Sequence, residues 1–169
     1  MATSALPAAP CDDWFAVKLQ RAGEWRARGN DAFKAEKLAK AVRAYKQAIR
    51  WLACPAECVY DREEAAEVAP IALACHSNLA TSFWKLGKWD TCIAQASLAL
   101  AHDPASVKAL FRRSQALVET KAFDDAVRDL ESAHELEPDS KLVRAALERA
   151  RAARSRHTAK QREAFAQLF

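Results

Sequence analysis

Apolar positions return along this chain in a fixed register. Residues 76–104, HSNLATSFWKLGKWDTCIAQASLALAHDP, align without gaps on residues 110–138, LFRRSQALVETKAFDDAVRDLESAHELEP. The pairs Ala80/Ser114, Phe83/Leu117, Trp89/Phe123, Cys92/Ala126, Ala99/Ala133 and Pro104/Pro138 all lie 34 residues apart. Residues 25–49, WRARGNDAFKAEKLAKAVRAYKQAI, join the register at an offset of 51: Gly29 with Ala80, Leu38 with Trp89, Ala41 with Cys92, Ala48 with Ala99. That offset is one period of 34 plus an insertion of 17 around CPAECVYDREEAAEVAP. Within each unit the apolar residues recur at helical spacing. The pattern predicts helices over 13–35, 38–53, 64–86, 90–102, 106–119, 123–136 and 140–167. Asp103-Pro104 and Glu137-Pro138 mark breaks, because a residue before proline avoids the helical region. Small residues recur where two helices cross closely. Gly29 takes that place on the first helix of its pair, where a side chain would hold the partner helix away. Ala80 and Ser114 do the same in the next two pairs.

Composition agrees with an all-α chain. Apolar residues make up 51% of 169, and glycine occurs only three times. Glycine weakens helix interiors, which makes Gly29-Asn30 conspicuous. The net charge of +4 is uneven. Residues 140–169 carry eight Lys/Arg against Glu148 and Glu163, a local +6 that leaves the remainder at −2. A duplex-DNA binder has a more basic body. No segment reaches the roughly 20 apolar residues a bilayer span needs. MATSALPAAP lacks a basic n-region and a long apolar stretch, so residues 1–12 read as a disordered lead-in rather than a signal peptide. The cysteines Cys11, Cys54, Cys58, Cys75 and Cys92 then read as reduced thiols in a cytoplasmic protein.

A helix pair repeated at 34 residues resembles the tetratricopeptide repeat. The resemblance implies three helix-turn-helix repeats stacked as a right-handed superhelix across residues 13–139. Repeat 1 covers about 22–55, the insertion about 54–70, repeat 2 about 73–105 and repeat 3 about 107–139. A basic seventh helix, 140–169, would cover the exposed end of the array. In this architecture the first helix of each pair lines the concave face. The polar residues there are Arg26 and Asn30, then Asn78 and Lys85, then Lys108 and Arg112. No Asp or Glu sits among them. Amides and cations at such positions suit a compact anion of fixed geometry, such as a peptide's free C-terminal carboxylate beside an acidic side chain.

Those residues resemble the two-carboxylate clamp of chaperone-binding tetratricopeptide domains, which bind the Glu-Glu-Val-Asp tails of Hsp90 and Hsp70. By that resemblance the clamp is Arg26, Asn30, Asn78, Lys108 and Arg112. Lys85 would contact an upstream acidic residue. Trp84, Phe33 and Phe111 would line the groove. Arg26 departs from the lysine usual at the first position, exchanging a point charge for a flat fork. The insertion, YKQAIRWL, VKALFRRSQAL and KQREAFAQLF are similar to the repeat domain of large immunophilins and of the aryl-hydrocarbon-receptor-interacting protein group. Those families carry a prolyl isomerase domain ahead of the repeats. No stretch of this chain reads as one, and Met1 favours a natural start.

Other constellations read more plainly. Trp14, Trp25, Trp51 and Trp89 are packing residues. Cys54, Cys58, Cys75 and His76 match no common zinc spacing, so neither a metal nor another cofactor is expected. His76, His102, His134 and His157 are scattered, and the chain shows no catalytic pairing. Asp124-Asp125 reads as a helix start. Helix 140–167 carries Arg144, Arg149, Arg151, Arg154, Arg156, Lys160 and Arg162, with Leu142, Leu147, Phe165, Leu168 and Phe169 as its larger apolar residues. Such a helix can bind calmodulin or an acidic surface, against the plainer reading of a solvated extension whose first half caps repeat 3. The expected function is therefore a non-enzymatic co-chaperone. Its alternatives are a scaffold for an internal peptide motif and an adaptor working through the last helix.

Overall fold

The computed structural model describes residues 12–54 and 59–166. Cys11, Cys58, Leu168, Phe169 and most of the expected lead-in lie outside those residues. Seven α-helices and no strand occur among the described residues: α1 (Asp12–Lys34), α2 (Leu38–Leu52), α3 (Arg62–Lys85), α4 (Trp89–His102), α5 (Val107–Glu119), α6 (Phe123–Leu136) and α7 (Lys141–Ala166). Each lies within two residues of its expected bounds. The chain divides into two compact units, the first ending at Cys75 and the second beginning at His76.

The 34-residue period reappears in the backbone. The turns α1–α2, α3–α4 and α5–α6 each place one residue in the left-handed region: Glu36 (φ 56°), Gly87 (φ 68°) and Lys121 (φ 63°). These three share a register position. Each helix closes with the same pair of hydrogen bonds. Lys37 N donates to Ala32 O (2.9 Å), Lys88 N to Phe83 O (3.0 Å) and Ala122 N to Leu117 O (2.9 Å), with an inner bond two residues shorter in each case. This is the Schellman ending, which satisfies carbonyls the last turn leaves open. Only Gly87 meets it without a Cβ penalty.

In the first unit α2 packs along α1. The small-residue register is realised closely: a Cβ on Gly29 would lie 2.5 Å from Tyr45 Cε1 and 2.6 Å from Cδ1. Tyr45 is 1% exposed, so its ring has nowhere to retreat. Ala22, Leu52, Val68 and Ala72 form the core, with Phe15, Leu19, Trp51 and Tyr60 packed against it. The insertion is partly ordered as helix. Asp61 Oδ1 accepts from the backbone N–H of Glu63 and Glu64 (2.8 Å each), and Glu64 Oε2 accepts from Asp61 N (3.1 Å). This reciprocal cap explains why α3 starts at Arg62, before the expected 64; Pro70 lies inside the helix.

In the second unit Leu110, Val127, Leu130 and Ala133 meet Val143, Leu147 and Ala150 of α7. The first half of α7 thus covers the end of repeat 3. Its charges stay largely exposed, as the plainer reading expects, with a few surface contacts to α6. Arg151 Nη2 lies 2.7 Å from Glu131 Oε1, Arg154 Nη1 lies 3.4 Å from Asp124 Oδ1, and His157 rests against the Phe123 ring at 5.2 Å. Ala80, Cys92, Ala99, Ser114, Ala126 and Ala133 all show 0% exposure, as their repeat register requires. No helix is long and apolar enough to cross a membrane among the described residues.

Candidate functional site

The Gly29-Asn30 pair is explained by α2. Because Gly29 lacks a side chain, the Tyr45 ring lies directly on α1, and its hydroxyl donates to Asn30 Oδ1 at 2.9 Å. The tyrosine therefore fixes the amide with its oxygen toward α2. Arg26 stands one turn before Asn30 and is half-buried. Its positive charge acts on Cys75, where burial prevails and pushes the thiol up to about 11. Phe33 is half-buried at the end of α1.

The second unit assembles Asn78, Lys108, Arg112 and Trp84. Lys108 Nζ donates to Asn78 Oδ1 at 2.9 Å. Lys108 and Arg112 are one turn apart on α5 and project to one side. Arg112 lies over the Trp84 ring, 4.9 Å from its centroid, and donates through Nη1 to Gln115 Oε1 at 2.7 Å. Its Nε is buried with no hydrogen-bond partner among the described residues. Trp84 is braced by Trp89, ring centroids 6.4 Å apart. Lys108 is exposed as a residue, yet partial withdrawal of its ammonium from water lowers its pKa, and the Arg112 charge adds to that. Burial also lowers Arg112. No Asp or Glu pairs with either cation among the described residues. Two cations held together without a counter-charge form a site that gains when an anion arrives.

Beside this cluster a groove of about 440 Å³ runs between α5 and α7, lined by Trp84, Phe111, Gln115, Val118, Leu142 and Arg149 among others. Phe111 has a double role, since it also packs against the core of the second unit. Lys85 is exposed in the last turn of α3. The sequence did not single out Tyr45 or Gln115. Gln115 carried a signal in its spacing of three from Arg112, whereas Tyr45 acts across a helix pair. Cys92, like Cys75, is buried and pushed up to about 11, so both thiols stay protonated and inert at neutral pH. No group of three metal-ligating side chains occurs among the described residues. Trp51 packs as expected, but Trp14 keeps 44% of its surface exposed while tilting against it.

No protein-family model matches the chain. Peptidyl-prolyl cis-trans isomerase FKBP4 of Mus musculus is 30% identical over 154 residues, 91% of this chain. The chain spans 33% of the length of that relative and does not cover its isomerase domain. Among solved structures, the C-terminal TPR-containing domain of a Plasmodium falciparum FK506-binding protein superposes with a TM-score of 0.75 at 27% identity, covering 89% of this chain and 94% of that one. The myosin chaperone UNC-45 from C. elegans, solved in complex with a Hsp90 peptide, gives a TM-score of 0.66 at 29% identity over 80% of this chain and 14% of that one.

Proposed function

We propose that this chain, a tetratricopeptide repeat domain homologous to the repeat domain of FKBP4, is a co-chaperone module that binds the free acidic C-terminus of Hsp90. The observation that carries the reading is the pair Lys108 and Arg112, set beside the Asn78 amide with no internal carboxylate. In this reading Lys108 and Arg112 hold the side-chain carboxylate next to the chain end. Asn78, Arg26 and Asn30 hold the main-chain carboxylate. Trp84 and Phe111 supply an apolar wall, and Lys85 meets an acidic residue further upstream. The Hsp70 tail, which shares Glu-Glu-Val-Asp, is a second ligand of the same class. In this reading the domain acts in the cytoplasm and contributes binding rather than catalysis. The solved complex of UNC-45 with a Hsp90 peptide supports the choice of ligand.

Charge-assisted hydrogen bonds of about 1.5–3 kcal/mol each fit a micromolar complex, roughly −8 kcal/mol. Titration with Met-Glu-Glu-Val-Asp as free acid and as C-terminal amide tests the reading. The free acid should bind at micromolar strength and the amide at least about tenfold more weakly. Equal binding of the two would replace the clamp by an internal-motif site. An adaptor acting through α7 would instead lose its partner on truncation near Asp139. Arg151 and Arg154 pair with Glu131 and Asp124 at the surface of α6, which favours the capping role of α7.

A further inference from the structure

The first unit holds a second cationic pocket, on helix faces that the clamp does not use. It has a volume of about 400 Å³ and is lined by Trp14 and Lys18 of α1 and by Gln47, Arg50 and Trp51 of α2. Lys18 is unusual for its residue type. Only 6% of it is exposed, its ammonium donates to two neutral oxygens, Ala53 O at 3.0 Å and Tyr60 Oη at 3.1 Å, and it lies 5.2 Å from the centroid of the Tyr60 ring. Tyr60 in turn donates to Leu52 O at 2.6 Å. An ammonium has three N–H donors. No carboxylate meets Lys18 among the described residues. A buried charge without a counter-charge is costly, and lysine is rarely kept so deep unless it is paired.

The rest of the pocket has matching chemistry. Arg50 is exposed at the rim and forms no ion pair among the described residues. Trp14 and Trp51 make a tilted aromatic wall, ring centroids 6.4 Å apart. Apolar surface continues outside the pocket at Val17, three residues on from Trp14, which is 38% exposed. Two cations beside exposed aromatic and aliphatic groups are complementary to a peptide of opposite pattern. We propose that this pocket docks a segment of a partner protein in which acidic residues alternate with aromatic or aliphatic ones. The acid meets Lys18 and Arg50, and the apolar side chain lies against Trp14 and Trp51. The site reads an internal segment and needs no free C-terminus.

The probe is the capped peptide Ac-Ser-Asp-Phe-Glu-Leu-Ser-NH2, whose amidated end keeps it off a carboxylate clamp. The readout is the indole N–H signals in ¹H–¹⁵N spectra, those of Trp14 and Trp51 being assigned by Trp14→Phe and Trp51→Phe. The expected result is a saturable shift of these two signals. The Asn/Gln analogue of the peptide should bind at least about tenfold more weakly, as should Arg50→Ala with the acidic peptide. Arg50 is exposed, so this variant keeps its fold. It should also bind the free-acid tail peptide like the parent. Lys18→Met is a stronger probe whose folding is checked by circular dichroism. The proposal is overturned if neither indole signal moves at millimolar peptide, if acidic and neutral peptides bind alike, or if Arg50→Ala binds like the parent. None of these outcomes depends on whether the Hsp90 tail binds.

Discussion

Arg112 and Arg113 are neighbours on α5, yet the two faces they serve are opposites. Arg113 is satisfied inside the protein. Its Nη2 and Nε meet Asp129 Oδ1 and Oδ2 at 2.6 and 2.8 Å, and its Nη1 donates to Ser97 Oγ at 3.1 Å. The Asp129 hydrogen bonds raise its pKa. Among the described residues Arg112 meets no acid and its Nε has no partner; it lies on Trp84, and burial lowers its pKa. A fork closed on a buried carboxylate ties α4, α5 and α6 together. The same side chain without a counter-charge is a cost to the fold that a ligand can relieve. The difference marks Arg113 as structural and supports the proposed binding role of Arg112 without reference to any relative.

The largest test breaks the structural side. Arg113→Met leaves Asp129, 7% exposed, as a buried charge without its partner. Removing one member of a buried pair costs about 3–5 kcal/mol; the partial exposure of Arg113, 27% of its side chain, argues for about 3. In a chain of this size that lowers Tm by roughly 6–12 °C. The double variant Arg113→Met with Asp129→Leu should recover most of the loss, because apolar replacement of a whole buried pair is often neutral. Thermal unfolding of the three proteins decides the matter. A single variant as stable as the parent would remove the contrast between the two arginines.

Next in size is Gly29→Ala, which acts on both sides at once. The new methyl meets the Tyr45 ring at 2.5 Å. Overpacking of this kind costs about 1–3 kcal/mol. The displaced tyrosine would also release its hydrogen bond to Asn30. Denaturant midpoints should fall, and the affinity for the free-acid tail peptide should fall with them. Lost stability with unchanged affinity would remove Asn30 from the proposed clamp.

Third comes the binding side. Arg112→Met keeps an aliphatic stem over Trp84 and removes the charge. The lost contacts to Trp84 and Gln115 and the relief of an uncompensated charge oppose each other, so stability should move by less than about 1 kcal/mol. Affinity for the free-acid peptide should drop at least about tenfold, 1.4 kcal/mol. Calorimetric titration beside a melting curve reads both numbers. The reverse outcome, lost stability with intact binding, would make Arg112 the structural arginine.

What could be read before any coordinates follows the same division. Helix bounds, turn positions and the zero-exposure places at Ala80, Cys92, Ser114 and Ala126 recur in register, and a period of 34 shows in the letters themselves. The proposed donor set was also legible, because Lys108 and Arg112 lie one turn apart on a single helix. The bonds that discriminate between arginines were not. Asp129 is 16 residues from Arg113, and Tyr45 is 15 from Asn30. Each pairing depends on the rotation of one helix against another, which Gly29 hints at but does not specify. Lys18 was invisible for the same reason: its acceptors, Ala53 O and Tyr60 Oη, follow it by 35 and 42 residues.

The smallest effect is a control on the comparison. Lys121 ends the turn after α5 at φ 63°, in the place where the α3–α4 turn uses Gly87. A left-handed residue with a Cβ costs about 1–2 kcal/mol, and glycine's extra freedom in the unfolded chain returns roughly half of that. Lys121→Gly should therefore raise stability by about 0.5–1 kcal/mol. Lys121 belongs to neither face of α5 and is exposed. If the two faces act separately, the denaturation midpoint rises and peptide affinity stays within about twofold, under 0.5 kcal/mol. If affinity moves with stability, binding follows the overall integrity of α5, and the loss seen in Arg112→Met would not by itself identify a ligand contact.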